Sequence, residues 1–274
     1  MSTPDHSPLG KDTVYPNRHD SGLLFSIARA DKRAEIGIAE VLPFHGVDIW
    51  NAYELSWLDL RGKPVVAIAE FRVPAASPHI IESKSLKLYL NGFSQERIAD
   101  AATLTDTLTH DLSAAAGAVV GVTLRGLDAT AHAISTLQGQ LLDQQDLEID
   151  HYGPPDADLL QSDRSALAVE ETVLSHLLRS NCPVTGQPDW GSVQIRYRGA
   201  PIAHAGLLRY LVSFRHHDEF HEQCVERIFV DLTQRCAPQQ LSVLARYTRR
   251  GGLDINPFRS SLPATPENLR TTRQ

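Results

Sequence analysis

The sequence predicts an α+β protein built from two successive blocks of strands, helices and strands. Apolar residues alternate with polar ones in several segments, which indicates strands, and recur three and four apart in others, which indicates helices. Gly and Pro interrupt the chain near its middle, at Tyr152-Gly153-Pro154-Pro155, so the blocks divide near residues 150–160. Sequence identity between the halves is slight, and the repeat therefore rests on the order of the elements.

The first block follows a segment with little periodicity. Residues 1–45 carry Pro, Asp and Arg without a repeating pattern, and we predict an extended N-terminal arm there. From 65 to 73 apolar residues dominate one face of a predicted strand. Residues 51–60 are its predicted partner, joined to it by the turn Arg61-Gly62-Lys63-Pro64.

Helices follow in the first block. Leu86, Tyr89, Leu90 and Phe93 recur at helical spacing, and Ser83 is the predicted N-cap of that helix. A second helix carries leucines four apart at 104, 108 and 112. Strands are predicted around 118–124 and 140–149, which completes the block.

The second block repeats this order. Residues 166–178 and 193–198 are predicted strands, and 207–214 is an apolar segment. A helix follows with an apolar stripe that includes Cys224, and a last strand at 241–248 ends the predicted fold. We therefore divide the chain into an arm (1–45), a first module (46–152) and a second module (153–274) that carries the candidate catalytic cysteine.

Composition and charge narrow the class of protein. The 274 residues have a net charge of −7 and no basic patch, which argues against direct binding of nucleic acid. The N-terminal residues do not resemble a signal peptide, and the longest uncharged apolar run, 114–122, is far shorter than the roughly 20 residues that span a membrane. Three cysteines without scaffold spacing favour a reducing compartment. We predict a cytoplasmic protein.

The most unusual segment is 180–190, with the sequence Ser-Asn-Cys-Pro-Val-Thr-Gly-Gln-Pro-Asp-Trp. Its two prolines and one glycine suit a fixed turn that would hold Cys182 where a substrate can reach it, and Asp189 could relay a proton. A buried loop cysteine with a turn-capping aspartate explains the residues equally well, because reactivity depends on the environment of a thiol. The other cysteines carry weaker signals: Cys224 is predicted to lie in the core, and Cys236 has no pattern.

Histidines around the start of the last helix raise the question of a metal. His217 and His221 are four apart, but Asp218 stands where the zinc motif has glutamate, and no third ligand follows. We predict no metal. His221 and Glu222 on the first turn of the helix could instead face a ligand, since a carboxylate suits the N–H donors of a guanine-like base. A solvated helix start is the simpler alternative.

Cations at two places could bind phosphate. Lys84 and Lys87 lie near the start of the first predicted helix, where backbone N–H groups already favour anions. Residues 246–252 place three arginines beside a Gly-Gly turn. A capped amphipathic helix and a basic surface turn are the alternatives. No G-x-G-x-x-G or Walker sequence occurs, so neither a Rossmann domain nor a P-loop is supported.

Taken together, these segments resemble the NADPH-dependent 7-cyano-7-deazaguanine reductases of queuosine biosynthesis, in their long, two-module form. The most specific motifs are E-S-K-S-x-K-L-Y and N-C-P-V-T-x-Q-P-D-W. The resemblance covers nearly the whole chain, through residues 9–11, 50–57, 82–91, 180–190, 221–223 and 249–257. Ser26-Ile27-Ala28-Arg29 departs from the proline-flanked version of the family, away from any catalytic position.

The resemblance implies two tandem tunnelling-fold modules (β-β-α-α-β-β, antiparallel sheets with helices on one face), a homodimer, and roles for particular residues. Cys182 matches the nucleophile and Asp189 the proton donor. The remaining site positions match substrate contacts at Ile81, Glu82, Ser83, His221 and Glu222, and NADPH contacts at Ser83, Lys84, Arg250 and Gly251.

The implied reaction is reduction of the nitrile of 7-cyano-7-deazaguanine to a primary amine through a thioimide on Cys182. Three other functions remain open on the sequence. A tunnelling-fold pterin or purine cyclohydrolase would need zinc ligands, and a cysteine hydrolase would need a histidine near Cys182. A non-catalytic nucleotide-binding module would leave Cys182 an inert thiol.

Overall fold

The computed structural model describes Pro16, residues 18–128 and residues 134–274. Its helices and strands follow one another in the order that the sequence predicts, with additional short elements. The strands are β1 (Ser26–Ala28), β2 (His45–Leu58), β3 (Pro64–Pro74), β4 (His79–Ile81), β5 (Gly121–Arg125), β6 (Gln140–Leu141), β7 (Val169–Ser175), β8 (Arg179–Asn181), β9 (Pro188–Gly199), β10 (Gln240–Tyr247) and β11 (Leu253–Ser260). The α-helices are α1 (Ala30–Glu35), α2 (Ser83–Gly92), α3 (Ala101–Ala116), α4 (His204–Val212) and α5 (His221–Cys236).

The chain folds into two compact units, and each draws on separated segments. Of the described residues, the first unit contains Pro16, 18–31, 48–128 and 249–255, and the second contains 32–47, 134–248 and 256–274. Both have antiparallel strands with two main helices, so the predicted α+β class is confirmed. The division into an arm and two modules at 1–45, 46–152 and 153–274 stays a prediction.

The first unit is built on the strand order β5–β3–β2. β3 and β5 are antiparallel, with Phe71 opposite Val122. The turn at 249–252 joins this unit through a hydrogen bond from the Tyr53 N–H to the Gly252 carbonyl (2.9 Å). Inward-facing strand residues and one face of α2 and α3 form a single core, which includes Trp50, Leu55, Phe71, Leu86, Tyr89, Leu104, Leu108 and Leu112.

The second unit has the strand order β11–β10–β9–β7–β6, and β8 also pairs with β9. β9 is antiparallel to both neighbours, with Ile195 opposite Val243 of β10 and Val173 of β7. The predicted alternation in β9 is confirmed, because Val193, Ile195 and Tyr197 are buried. The predicted stripe of α5 is likewise buried, at Cys224, Val225, Ile228, Phe229 and Leu232.

Four predicted elements differ in the structure. Glu82 rather than Ser83 is the N-cap of α2, because its carboxylate is long enough to accept hydrogen bonds from two backbone N–H groups. The predicted strand at 140–149 is limited to Gln140–Leu141. The described part of the predicted arm contains β1 and α1. The prediction that the fold ends at 241–248 is wrong, since β11 follows.

Candidate functional site

Cys182 lies at the tip of the hairpin formed by β8 and β9. Ser180 pairs with Asp189, and two residues further the Cys182 N–H donates to the Gln187 carbonyl (2.9 Å). A second bond, from the Gly186 N–H to the Cys182 carbonyl (2.9 Å), closes the loop. Because strand side chains alternate, this register places Cys182 and Asp189 on the same face of the hairpin. Both residues are buried, Cys182 with 3% of its surface exposed.

Trp190 stiffens this hairpin. The Arg179 and Arg215 guanidinium groups each lie 5.3 Å from the centre of its ring. The Trp190 carbonyl accepts a hydrogen bond from the Thr248 N–H (2.8 Å). The residue that follows Asp189 is therefore fixed by stacking and by the strand ladder together.

The start of α5 faces the same hairpin. His221 is the first residue of the helix, and its Nε2 lies 3.7 Å from a carboxylate oxygen of Asp189. That distance is too long for a hydrogen bond but within the range of an ion pair between a carboxylate and a protonated imidazole. Glu222 is 2% exposed in the first turn. The structure thus brings Asp189 and His221 together in the second unit, near Cys182.

Tyr247 is a further residue of this region that the sequence did not single out. Its ring meets that of His221 edge to face, with centroids 4.1 Å apart. Burial raises the pKa of Tyr247 well above its ordinary value, and the nearby Cys224 and Asp189 raise it further. A Cβ at Gly191 would lie 3.1 Å from the Tyr247 ring, so glycine at this position allows the ring to pack directly over the backbone of β9. The only sequence signal was its place in the Arg-rich segment 246–252.

The second and third cysteines are buried and free. Cys224 lies in the core as predicted, and burial raises its pKa well above the ordinary value. Cys236 ends α5, and burial also raises its pKa. Raised pKa values suppress the thiolate form, so neither environment favours a nucleophile at neutral pH.

In the first unit, the candidate substrate residues lie where β4 meets α2. Ile81 ends β4, and Glu82 caps α2 by accepting from the Lys84 N–H (2.7 Å) and the Ser85 N–H (2.8 Å). Glu82 is 1% exposed, and this burial raises its pKa against the lowering effect of those N–H groups. Ser83 and Lys84 are the first two helical residues. A buried, oriented carboxylate is therefore present at the predicted position.

The candidate cofactor turn at Arg250 and Gly251 approaches α2 within the same unit. Gly251 and Gly252 have φ values of +61° and +77°, a conformation that favours glycine. A Cβ on Gly251 would lie 2.8 Å from the Lys87 Nζ, and one on Gly252 would lie 2.6 Å or less from the Glu54 carboxylate. A pocket of about 50 Å³ lies here, lined by Glu54, Lys87, Asn91, Gly251 and Gly252 among others.

The three arginines of this segment have different surroundings within their own units. Arg246 is buried in the second unit, where it donates to Gln274 (3.0 Å) and Asn268 (2.9 Å). Arg249 and Arg250 belong to the first unit, and the Arg249 guanidinium stacks on Tyr53 at 5.3 Å. The interpretation of 246–252 as one basic cluster is corrected accordingly.

Within the described ranges, no group of three or more His, Cys, Asp or Glu residues is placed to hold a metal ion. His217 lies before α5 and bonds to Glu219 instead (3.0 Å), so its spacing to His221 is not that of two residues on one helix. In the same part of the chain, the helices are too short or too polar to cross a membrane.

Comparison with known proteins first defines the class. A family model described as "Nitrile reductase, 7-cyano-7-deazaguanine-reductase N-term" matches residues 15–124, and one described as "QueF-like protein" matches residues 188–265. The first of these models describes nitrile reductases, which are oxidoreductases. The solved apo structure of "the archaeosine synthase QueF-Like" overlaps 36% of this chain and 96% of its own at 19% identity and a TM-score of 0.31, which is too slight to bear on the fold.

Curated relatives then give the family. The NADPH-dependent 7-cyano-7-deazaguanine reductase of Cupriavidus necator is 59% identical over 278 residues, and that of Cupriavidus pinatubonensis is 58% identical; both alignments cover 100% of each chain. That of Burkholderia multivorans is 58% identical over 99% of each chain. The chain belongs to the NADPH-dependent 7-cyano-7-deazaguanine reductase family. The predicted family, oxidoreductase class and NADPH dependence are confirmed.

Proposed function

We propose that this chain reduces the nitrile of 7-cyano-7-deazaguanine to the primary amine of 7-aminomethyl-7-deazaguanine, through a covalent thioimide on Cys182. The reaction is a step in the biosynthesis of tRNA queuosine. The observation that carries the mechanism is the hairpin register, which holds Cys182 and Asp189 on one face, with His221 3.7 Å from Asp189. Family membership supports the substrate and the direction of the reaction.

Cys182 and Asp189 divide the first chemical step between them. The thiol proton passes to the Asp189 carboxylate, and the sulfur then bonds to the nitrile carbon as one π bond of the nitrile opens. The electron pair moves to the nitrile nitrogen, which takes a proton from Asp189, so the thioimide forms without a net change of charge. When bound, NADPH supplies the hydrides. Asp189 is buried, which shields these proton transfers from bulk water.

Buried carboxylates would orient the base. A guanine-like ring presents N–H donors at N1 and at the 2-amino group, and carboxylates such as Glu222 and Glu82 accept from two donors at once. Ile81, Ser83 and His221 complete the proposed substrate contacts. Fixing the ring points the nitrile at a thiol that is itself fixed, and such positioning can lower a barrier by several kcal/mol.

The turn at Arg250 and Gly251 and the start of α2 fit an NADP cofactor. Glycine keeps the backbone open to a ligand, since any side chain at Gly251 would approach the Lys87 Nζ within 2.8 Å. Lys84, Lys87 and Arg250 supply the cations that the extra phosphate of NADPH needs, and Ser83 adds a hydroxyl at the helix start. Together they favour NADPH over NADH.

The remaining features of the proposal concern partners and location. We expect a homodimer in the cytoplasm, with a small molecule as the substrate and no direct binding of nucleic acid or membrane. The acidic net charge of −7 supports the expectation that the chain does not bind nucleic acid directly. Sedimentation analysis of the purified chain tests the dimer.

Consumption of NADPH in the presence of 7-cyano-7-deazaguanine tests the reaction. We expect about two NADPH oxidised per nitrile, since nitrile-to-amine reduction takes two hydrides. Without NADPH, the parent should accumulate a substrate adduct on Cys182 that mass spectrometry detects. Cys182→Ala should abolish both this adduct and turnover. Cys236→Ala, which removes another buried thiol, is the matched control and should keep both. Turnover by Cys182→Ala at the parent rate would refute the covalent mechanism.

A further inference from the structure

The segment just before α5 is bonded directly to the residue that precedes Cys182. The Asn181 N–H donates to the His217 carbonyl (2.8 Å), and the Glu219 N–H donates to the Asn181 carbonyl (3.1 Å). The Asn181 side chain adds a third bond, from Nδ2 to the Asp218 carboxylate (3.1 Å). Residues 217–219 thus hold a single residue of β8 through its backbone N–H, its carbonyl and its side chain. The position of Cys182 therefore depends on where this segment lies.

Glu219 fixes that segment to α5. Its carboxylate accepts two bonds from Arg227, one from Nη2 to Oε1 (2.8 Å) and one from Nε to Oε2 (3.1 Å). His217 Nε2 lies 3.0 Å from Oε2. Glu219 is 2% exposed, so these bonds form where water does not compete. Burial alone would raise the pKa of Glu219, but His217 and Arg227 outweigh it, and the pKa is lowered.

Through these contacts α5 holds residues 217–219 in addition to its own first turn. Its first turn presents His221 and Glu222, and in its second turn Arg227 holds the carboxylate that fixes 217–219. The same helix therefore sets the position of the proposed substrate residues and, through Glu219 and Asn181, of the nucleophile. Glu219 acts on Cys182 only through other residues, since it bonds to His217, Arg227, Asn181 and Cys224.

We propose that Glu219, held by Arg227 and His217, is a positioning residue that sets Cys182 against the start of α5. The proposal rests on the nucleophilic role proposed for Cys182. Glu219→Gln keeps the size of the side chain but removes its charge, and its amide nitrogen cannot accept from Arg227. The segment 217–219 should then loosen, and the thiol should lose its alignment. Displacement of a reacting atom by about 1 Å can cost roughly a hundredfold in rate.

Hydrogen exchange tests the mechanical link without any substrate. In Glu219→Gln, amides in a peptide covering 179–187 should exchange about tenfold faster than in the parent. Asp158→Asn is the matched control, because Asp158 pairs with Arg235 of the same helix at 2.7 Å but is 81% exposed. Exchange in 179–187 that is the same in all three proteins would overturn the proposal.

Adduct formation tests the consequence for chemistry. With saturating 7-cyano-7-deazaguanine and no NADPH, Glu219→Gln should form the Cys182 adduct at least about tenfold more slowly than the parent. Substrate affinity, measured after adding Cys182→Ala to both proteins, should change less than about threefold. A merely structural role would lower affinity and rate together, and that outcome also contradicts the proposal.

The two hypotheses fail in different ways. A parent that forms no adduct refutes the proposed nucleophile, while the exchange result still decides whether Glu219 holds the hairpin. If Glu219→Gln does not fold, Arg227→Lys takes its place, since lysine keeps the charge but loses the two-pronged hydrogen bond. It should show the same faster exchange and slower adduct formation, and parent-like values for both would overturn the proposal.

Discussion

The helices α2 and α5 are each preceded by a buried glutamate, Glu82 and Glu219, but the two carboxylates have different partners. At α2, Glu82 accepts from the N–H groups of Lys84 and Ser85 and caps its own helix. At α5, the N-cap Phe220 offers no side-chain acceptor, and Glu219 just before it pairs with Arg227 and His217. The pKa of Glu82 is raised by burial, whereas that of Glu219 is lowered because its interactions with His217 and Arg227 outweigh the same effect.

The two glutamates illustrate two ways in which a protein stabilises a buried carboxylate. Backbone N–H groups orient a carboxylate but compensate its desolvation only in part, so the pKa of Glu82 stays above its ordinary value. An arginine in a two-pronged pair compensates more fully and keeps Glu219 ionised. Glu82 at the N-terminus of α2 is therefore suited to accept hydrogen bonds from a ligand, which would offset the rest of its desolvation. Glu219 before α5 is suited to hold its segment in one position.

Arg227→Met should have the largest effect on stability, because it leaves the Glu219 carboxylate buried with one partner fewer. We expect a loss of about 3 kcal/mol in the free energy of unfolding. Adding Glu219→Leu should restore part of it, since no charge is then left buried. Urea unfolding of the parent, the two single variants and the double variant measures this, and strictly additive losses would contradict the coupling.

Glu222→Gln should reduce kcat/KM by roughly a hundredfold, because one acceptor for the base would be replaced by a donor. The unfolding temperature should change little. Steady-state kinetics with varied 7-cyano-7-deazaguanine provide the measurement, and Glu170→Gln, at an exposed carboxylate of β7, is the control. A reduction below about threefold would remove Glu222 from the proposed site.

The pH dependence of stability should differ in sign between the two glutamates. The raised pKa of Glu82 means that its carboxyl stabilises the fold most below its unfolded value of 4.5, and this contribution is lost as pH rises through the folded pKa. The lowered pKa of Glu219 means that its contribution is present above 4.5 and is lost as pH falls through the folded pKa.

Unfolding free energies between about pH 3.5 and about pH 8 check this. The advantage of the parent over Glu82→Gln should shrink as pH rises, and the advantage over Glu219→Gln should grow. Slopes of the same sign for the two variants would mean that one of the carboxylates has other partners than those assigned here.

Gln223→Ala should have the smallest effect. Gln223 Oε1 accepts from the Phe220 N–H at 3.4 Å, a weak replacement for the missing side-chain cap. We expect a loss of about 0.5 kcal/mol in the free energy of unfolding. Glu82→Ala removes both cap bonds of α2 and should lower the free energy of unfolding by about 1 kcal/mol or more, which is the reference for comparison. Equal losses in the two variants would show that the starts of α2 and α5 are capped equally well.

Elements with one buried face were predictable from the sequence, and those without one were not. The stripe of α5 and the alternation of β9 follow from burial on a single side, which leaves a periodic pattern. All eight residues of β11 are buried, so no alternation marks it, and the predicted fold ended too early. Short polar side chains are the usual caps, so the pattern favours Ser83 for α2, whereas in the structure the Glu82 carboxylate accepts from the N–H groups of Lys84 and Ser85.

By itself, the sequence determined the α+β class, the cysteine with its nearby aspartate, and the family, because periodicity and specific motifs are local properties of the chain. Only the tertiary structure decided which residues surround them. The contact of His221 with Tyr247, the removal of Arg246 from the basic segment, and the clamp of Glu219 by Arg227 depend on strand register and helix packing. Register and packing are set by the whole core, so a local sequence pattern does not predict which residues contact a site.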